Sequence, residues 1–242
     1  MRNPASESPV VPIATPAALE WCGVSLDLGE FAIQEVSVRV DPGQWVCIVG
    51  STGAGKTLLL EVAAGFLRPG SGCVLRNGQD ITTLPPERRR IAYVPQDDLL
   101  FPHLDVRSNL LFGVRRRDTA VMERLASIAD DLGIAHLLRR KIDAISGGEA
   151  QRIALGRALL LDLDLLLLDE CTSALDEETR EIIGAFLAVE RRSRDLSVVQ
   201  VTHESAGALR LADVIVSMDK GRLVNRETGV RTSPVERIGG IG

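Results

Sequence analysis

The chain has 242 residues, and its 28 basic residues against 33 acidic ones give a formal net charge of −5. This length suits one α/β domain, and the negative charge argues against a protein that coats nucleic acid. No run of about 18 uninterrupted apolar residues occurs, which excludes a channel or transporter that crosses a membrane by itself.

The first part of the chain divides into a leader, short strands and a helix. Residues 1–18 are rich in proline and lack a long apolar segment, so we expect a disordered leader. Short strands are predicted over 19–40, where apolar and polar residues alternate. A continuous apolar strand over 45–49 and a buried helix over 57–67 follow, with a glycine-rich loop between them.

The second part alternates helices with apolar strands. The pattern is mostly helical over 105–160, and strands are predicted at 91–94, 163–168 and 198–201. A hairpin is expected over 214–224. This alternation predicts an α/β fold with a mostly parallel sheet and a helical insert.

These patterns predict one domain over residues 19–230. The helical subdomain is expected at about 97–158, and residues 231–242 form a short tail.

The glycine-rich loop fits the pattern G-x-x-x-x-G-K-S/T between a strand and a helix. Its residues are Gly50, Ser51, Thr52, Gly53, Ala54, Gly55, Lys56 and Thr57. Glycines allow backbone N–H groups to wrap a polyphosphate, and the helix N-terminus adds positive potential. We expect Lys56 to reach the β- and γ-phosphates of a nucleotide and the Thr57 hydroxyl to bind Mg²⁺.

Two carboxylates follow the most hydrophobic strand. Asp169 and Glu170 lie at its C-terminal end, where open α/β sheets bind ligands. Asp169 can hold Mg²⁺ through water, and Glu170 can polarise an attacking water.

A second glycine motif opens the helix that runs to Leu160. Ser146 and Glu149 have the spacing of a capping box, which does not explain the glycines Gly147 and Gly148 between them. Each glycine costs roughly 1 kcal/mol against alanine in a helix. A phosphate approaching the exposed N–H groups would explain them, and a second phosphate cradle suggests a nucleotide shared between two chains.

Together these motifs resemble the ATP-binding cassette family. The resemblance extends from about Leu19 to Val224 and rests on the order of five motifs. These are the glycine-rich loop (P-loop), S-G-G-E-x-Q-R, an apolar strand that ends in D-E, S-A-L-D, and a strand that ends in histidine. The resemblance implies a P-loop NTPase (RecA-like) core with an N-terminal antiparallel β subdomain and an inserted helical subdomain. It also implies an ATPase that uses ATP and Mg²⁺.

The resemblance assigns roles to further residues. Gln96 takes the glutamine-loop position, which reaches Mg²⁺ and water. Ser146, Gly147 and Gly148 would contact the γ-phosphate of ATP held by the opposite subunit, and Glu149 completes the motif. Asp176 ends the loop of residues 173–176 that links the two sites of a dimer. His203 matches the switch histidine, which contacts the γ-phosphate.

The sequence departs from the family pattern at several positions. Cys171 follows the catalytic glutamate where proline is usual, and Glu149 replaces a commoner glutamine. For the aromatic side chain that stacks on adenine, Phe31 is the preferred residue and Trp21 the alternative.

A narrower resemblance concerns importers fed by a binding protein. It is carried by L-P-P-E-R-R-R at 84–90, V-P-Q at 94–96 and L-F-P-H-L-D-V at 100–106, and it is most similar to molybdate or tungstate importers. It implies a homodimer at the cytoplasmic face of the inner membrane. Its expected partners are transmembrane permease subunits and a solute-binding protein, and no nucleic acid is expected to bind. Sulfate, polyamine or sugar importers, and exporters or lipid-extracting complexes, remain alternatives.

Rival classes of nucleotide-binding protein fit less well. An N-K-x-D guanine motif is absent, and a small-molecule kinase would not need the glycines at 147 and 148. DNA-repair and translation members of the family need coiled coils, zinc inserts or two cassettes. The intact Lys56, Asp169, Glu170 and His203 argue against an inactive regulatory cassette.

Overall fold

A computed structural model describes residues 15–97, 100–171, 176–203 and 206–229. Its strands are β1 (Leu19–Asp27), β2 (Ala32–Val40), β3 (Trp45–Val49), β4 (Ser71–Arg76), β5 (Gln79–Asp80), β6 (Ala92–Val94), β7 (Leu165–Asp169), β8 (Ser197–Thr202), β9 (Val214–Asp219) and β10 (Arg222–Thr228). Its helices are α1 (Lys56–Ala64), α2 (Val106–Leu110), α3 (Thr119–Asp131), α4 (Gly147–Leu160), α5 (Glu177–Arg194) and α6 (Ala206–Leu211). Within these ranges, no helix is both long and apolar enough to span a membrane.

The N-terminal strands form an antiparallel sheet in the order β2-β1-β4-β5. The turn between β4 and β5 places Asn77 and Gly78 at φ +50° and +77°, the left-handed pair that a two-residue hairpin needs. This sheet confirms the predicted antiparallel β subdomain.

The central sheet has the order β10-β9-β3-β8-β7-β6 and is parallel except for the β9–β10 pair. Because β3, β8 and β7 are parallel neighbours, their carboxyl ends meet at one edge. That edge therefore brings together the loop after β3, the residue after β8 and the carboxylates at the end of β7. The mostly parallel sheet predicted from the sequence is confirmed.

Both faces of the central sheet are covered, which explains its continuous apolar strands. On β7, Leu165 and Leu167 pack with α1 and the antiparallel sheet, whereas Leu166 and Leu168 pack with the helices of the insert and α5. All four are at most 1% exposed. The sheet is thus the middle of three packed layers.

Helix α1 ends earlier than the sequence predicted. The expected helix over 57–67 stops at Ala64, because Gly65 takes the left-handed cap at φ +92° and its N–H bonds the Glu61 carbonyl. A Cβ on Gly65 would lie 2.5 Å from Nε of Arg89, so the guanidinium fills the space beside the cap.

The predicted helical run over 105–160 is interrupted. Helices α2, α3 and α4 are separated by turns, and Asp105 and Asp118 cap the starts of α2 and α3 by accepting backbone N–H bonds. Helix α4 packs closely at Gly156, where a Cβ would lie 2.9 Å from Leu110 of α2.

The β9–β10 hairpin supports the glycine-rich loop. The N–H of Gly221 donates to the Ala54 carbonyl at 3.0 Å, and the Gly221 carbonyl accepts from Gln34 of β2 at 2.9 Å. A Cβ on Gly221 would lie 1.8 Å from the Ala32 carbonyl oxygen. The hairpin therefore connects the loop to the antiparallel sheet by backbone contacts that only glycine permits.

Candidate nucleotide-binding site

The loop after β3 curls back on itself through left-handed glycines. Gly53 and Gly55 have φ +80° and +96°. At Gly50 a Cβ would lie 2.2 Å from the Met218 carbonyl oxygen, so the loop can approach β9 only without a side chain there. This shape exposes a concave row of backbone groups, as a phosphate cradle requires.

Lys56 places a buried ammonium group under this loop. Its side chain is 4% exposed, and Nζ donates to the carbonyls of Gly50 at 2.9 Å and Ser51 at 3.0 Å. Nζ also lies 3.9 Å from Oε1 of Glu170. Burial lowers the pKa of Lys56, whereas the charges of Glu170 and Asp169 oppose that shift.

Asp169 accepts two side-chain hydrogen bonds. The Thr57 hydroxyl donates to Oδ1 at 2.9 Å, and the Tyr93 hydroxyl donates to Oδ2 at 3.1 Å. Burial raises the pKa of Asp169, and these two bonds oppose the rise. The pKa of Tyr93 is raised far above its usual range by burial and by the Asp169 charge, so the phenol stays protonated as a donor.

Sequence reasoning missed Tyr93 as part of the site. It lies on β6 opposite Leu167 of β7, two residues before Asp169. The sequence does contain a signal, since a lone tyrosine falls in an apolar strand one residue before the V-P-Q motif. Its partner could be identified only once β6 was known to pair with β7.

Glu170 and His203 are in direct side-chain contact in the site. His203 Nε2 lies 2.6 Å from Glu170 Oε1, with the carboxylate side chain 7% exposed and the imidazole 44% exposed. The Glu170 N–H donates to the Val201 carbonyl at 3.1 Å, and Glu170 takes a left-handed φ of +49°. Such backbone strain in a non-glycine residue is typical of functional sites.

Lys56, Glu170 and His203 line one pocket of about 390 Å³, whereas Asp169 is fully buried beside its lining residue Thr57. Its lining residues are Phe31, Thr52, Gly53, Gly55, Lys56, Thr57, Leu58, Gln96, Glu170 and His203. The fold therefore brings together the loop, Gln96, the second carboxylate and the histidine that the sequence singled out. A volume in this range is typical of small-molecule sites.

The two aromatic residues considered for stacking on adenine, Phe31 and Trp21, lie in different surroundings. Phe31 lines the pocket, and a Cβ on Gly55 would lie 2.9 Å from Cζ of the Phe31 ring. Trp21 is 1% exposed, and its indole N–H donates to the Leu59 carbonyl at 3.0 Å. The alternative assignment of Trp21 is therefore wrong, because its ring belongs to the core.

The second glycine motif does not line this pocket. The capping box at the start of α4 is present: the Glu149 N–H donates to Ser146 Oγ at 3.4 Å, and the Ser146 N–H donates to Glu149 Oε2 at 2.8 Å. Ser146 and Gly147 are exposed, and a Cβ on Gly147 would meet no atom within 4 Å. The helix start thus presents open backbone to the outside of the chain.

Asp176 caps the start of α5. Its carboxylate accepts the Thr179 N–H at 2.8 Å and the Thr179 hydroxyl at 2.9 Å. The rest of the expected linking loop, residues 173–175, lies outside the described residues, and so does Glu204 after the histidine. Cys171, the residue after Glu170, is buried and forms no disulfide bond.

The donor set of the pocket suits a magnesium nucleotide. Thr57, Asp169 and Gln96 offer only oxygen atoms as metal ligands, the type that Mg²⁺ prefers. In the described part of the chain, no group of three His, Cys, Asp or Glu side chains could hold a metal by itself. The residues fit an ion that takes most of its ligands from phosphate and water.

Comparison with known proteins points to one family. Residues 33–173 match the family model described as ABC transporter. The chain is 45% identical over 201 residues to a molybdate/tungstate import ATP-binding protein from Archaeoglobus fulgidus, covering 82% of both chains. It is 42% identical to proteins of the same name from Thermococcus kodakarensis and Pyrococcus abyssi, but spans only 62% and 59% of their lengths.

Two solved structures share the fold. One is CbiO1 from Clostridium perfringens, with a TM-score of 0.76 at 21% identity, covering 88% of this chain and 89% of that one. The other is MJ1267, an ATP-binding cassette of an ABC transporter in its ADP conformation, with a TM-score of 0.75 at 22% identity, covering 89% of this chain and 92% of that one.

The Tyr93–Asp169 bond can be tested by mutation. Tyr93→Phe should lower the free energy of unfolding by about 1–3 kcal/mol, because a buried carboxylate loses a donor while the ring is kept. Urea denaturation of Tyr93→Phe, Asp169→Asn and the double variant measures the coupling between the two side chains. Additive effects of the two substitutions would contradict the interaction.

Proposed function

Since this chain belongs to the ABC transporter family, we propose that it is the ATP-hydrolysing subunit of an importer and that it works as a dimer around two Mg-ATP. The observation that carries this proposal is the convergence of Lys56, Glu170 and His203 beside the glycine loop in one pocket. An ammonium, a carboxylate and an imidazole in contact are suited to phosphoryl transfer to water.

Phosphate binding falls to the loop and Lys56. Gly53 and Gly55 give the loop the left-handed turns that let a backbone wrap a phosphate, and the helix α1 that begins at Lys56 adds its positive end. The Lys56 ammonium already bonds two loop carbonyls, so it holds the loop in the curled form that receives phosphates.

Thr57, Asp169 and Gln96 would hold Mg²⁺. The bound ion would neutralise phosphate charge during the reaction. The Thr57 hydroxyl and the Asp169 carboxylate are already in contact, and the Tyr93 bond fixes the orientation of the carboxylate. The chain therefore orients the side chains of Thr57 and Asp169 as metal ligands before a nucleotide binds.

Glu170 and His203 would act on the attacking water. The Glu170 carboxylate accepts a proton as the water oxygen bonds the γ-phosphorus and the bond to the β–γ bridging oxygen breaks. His203 lies within hydrogen-bond distance of Glu170 and lines the same pocket, so its imidazole would contact the γ-phosphate of a bound nucleotide. Lys56 stabilises charge on the same phosphate.

Phe31 would stack on the adenine ring. Its phenyl group lines the pocket beside Gly55 of the glycine-rich loop. Base–aromatic stacking of this kind contributes about 1–3 kcal/mol.

The exposed start of α4 supports a shared site. Ser146 and Gly147 are exposed at the helix start, yet Ser146, Gly147 and Gly148 do not line the pocket of their own chain. A second copy that presents this helix start to the γ-phosphate would complete the site, while Asp176 at the start of α5 would link the two sites.

The proposed cargo is molybdate, tungstate or another oxyanion. The support is that relatives 42–45% identical to this chain are named as molybdate/tungstate import ATP-binding proteins. The alternative is another importer, since the chain is 37% identical to a spermidine/putrescine import ATP-binding protein from Frankia alni and 34% identical to a putative 2-aminoethylphosphonate one from Salmonella typhimurium. Either function places the chain at the cytoplasmic face of the membrane, with permease subunits and a solute-binding protein as partners.

The helical insert offers a surface for the permease. Phe112 is 49% exposed and packs on Phe101 with ring centroids 4.0 Å apart, and Arg157 lies 5.6 Å from the Phe101 ring centroid. An apolar aromatic surface beside a cation suits the end of a membrane-protein helix.

Glu170→Gln tests the assignment of the base. ATP hydrolysis should fall by about 10²-fold or more, because the amide cannot accept the proton, while ATP binding persists. Phosphate release and equilibrium binding of a fluorescent ATP analogue measure the two effects, with the exposed Glu123→Gln as control. Turnover equal to that of the control would refute the role of Glu170.

Ser146→Arg tests the shared site. The long cation at the exposed helix start should prevent two chains from closing, so ATP-dependent dimerisation and hydrolysis are lost while each P-loop still binds nucleotide. Light scattering with ATP in the Glu170→Gln background reports the dimer, and Ser127→Arg is the matched control on α3. A normal dimer in Ser146→Arg would overturn the shared-site model.

Uptake in cells tests the cargo. Deleting this chain should abolish high-affinity tungstate uptake without changing spermidine uptake, and Lys56→Ala should not restore it. Loss of spermidine uptake with normal tungstate uptake would favour the polyamine alternative and reject the oxyanion assignment.

A further inference from the structure

A second pocket lies at the opposite end of the central sheet. It has a volume of about 570 Å³ and is lined by five arginines, which we call the basic hollow: Arg76, Arg88, Arg89, Arg90 and Arg194. Asp164 also lines it and immediately precedes β7, whereas Asp169 ends that strand. At about 3.3 Å per residue, the hollow lies roughly 17 Å from the proposed nucleotide site.

The hollow concentrates positive charge in a chain that is acidic as a whole. Of its five guanidinium groups, that of Arg76 pairs with the lining Asp164, and that of Arg194 lies 3.4 Å from the lining Asp162 and 3.5 Å from Glu190. Asp162 is fully exposed to solvent, so its charge is well screened.

Two of the arginines have structural roles. Arg89 is 3% exposed and donates to the carbonyls of Leu84, Val62, Ala63 and Thr82. Arg194 donates to three carbonyls of the segment before β7, those of Leu159, Leu161 and Leu163. These bonds fix the walls of the hollow.

Arg76 is buried and incompletely satisfied. It is 7% exposed and donates to the Ala18 carbonyl at 2.6 Å and to the Asp164 carboxylate, but its buried Nε has no hydrogen-bond partner among the described residues. Burial lowers the pKa of Arg76, the charge and hydrogen bond of Asp164 oppose that shift, and the positive charge of Arg90 adds a smaller lowering. Arg76 and Arg90 line the same hollow, so the fold places two like charges in one pocket.

Arg88 and Arg90 are exposed, and no hydrogen bond or ion pair joins either side chain to the described part of the chain. Arg90 also takes a left-handed backbone at φ +54°, which an arginine rarely adopts. The unpaired guanidinium groups of Arg88 and Arg90 line the same hollow as the buried Arg76. Guanidinium N–H groups are donors of the kind that binds phosphate oxygens.

We propose that the basic hollow is a binding site for a small soluble anion that carries at least two phosphate groups. A multiply charged anion would offset the repulsion between Arg76 and Arg90 and give Arg88 and Arg90 their missing acceptors. The volume is in the range of ligand sites and far exceeds the roughly 30 Å³ of one water, so a single tetrahedral anion would leave most of it filled with solvent. This proposal does not depend on the proposed function.

Pyrophosphate is the probe. The full chain is first saturated with Mg-ADP in excess magnesium, which occupies the P-loop, and pyrophosphate binding is then measured by calorimetry. We expect one site per chain whose affinity falls at least tenfold in Arg88→Gln/Arg90→Gln. Arg117→Gln/Arg226→Gln removes the same charge from exposed positions outside the hollow and should bind as the wild type does.

Two further measurements make the test decisive. Arg90→Gly keeps the left-handed backbone, so weaker binding in this variant cannot be attributed to misfolding. Inorganic phosphate should bind at least tenfold more weakly than pyrophosphate. Absence of pyrophosphate binding, equal loss in both double variants, or equal affinity for phosphate and pyrophosphate would each overturn the proposal, whereas Mg-ADP affinity reports on the P-loop separately.

Discussion

The buried ammonium group of Lys56 is the constraint on which the candidate site depends. A charge taken out of water is costly unless it is paired and hydrogen-bonded. Here two loop carbonyls and the nearby Glu170 compensate it. The carbonyls face Nζ only because the loop curls through left-handed glycines, and Glu170 is near only because β7 ends at the same edge. The loop and the end of β7 therefore have to assemble together.

The strand order satisfies that requirement. β8 lies between β3 and β7, so the loop, His203 and the two carboxylates come from three parallel neighbours. Both faces of this sheet are covered by packed layers, which limits how far any of these strands can shift. The Gly221 contacts add a rigid support behind the loop, since backbone touches backbone there with no side chain between them. The geometry of the site is thus a property of the sheet more than of the loop.

Local signals predicted what depends on neighbouring residues in sequence. The loop glycines, the apolar β3 and β7 and the capping box at Ser146 were all predicted, because turn chemistry, hydrophobic runs and caps are short-range. Contacts between distant segments were not. The burial of Trp21 depends on α1, and the Tyr93 bond depends on the pairing of β6 with β7. Periodicity also joined α2 and α3 into one run, because the cap at Asp118 was not recognised as a helix start.

The chain attracts anions in two physically different ways. At the loop, the positive potential comes from backbone N–H groups and one lysine, and Asp169 and Glu170 lie beside it, so charge is nearly balanced before any ligand binds. At the basic hollow, the potential comes from guanidiniums on β4, before β6 and at the end of α5. Ion pairs compensate Arg76 and Arg194 but leave the charges of Arg88 and Arg90 uncompensated. A net charge of −5 therefore says little about either place. A binding site with nearly balanced charge suits a ligand that must be released after each turnover. A site with uncompensated positive charge gains more free energy from each anion that it binds.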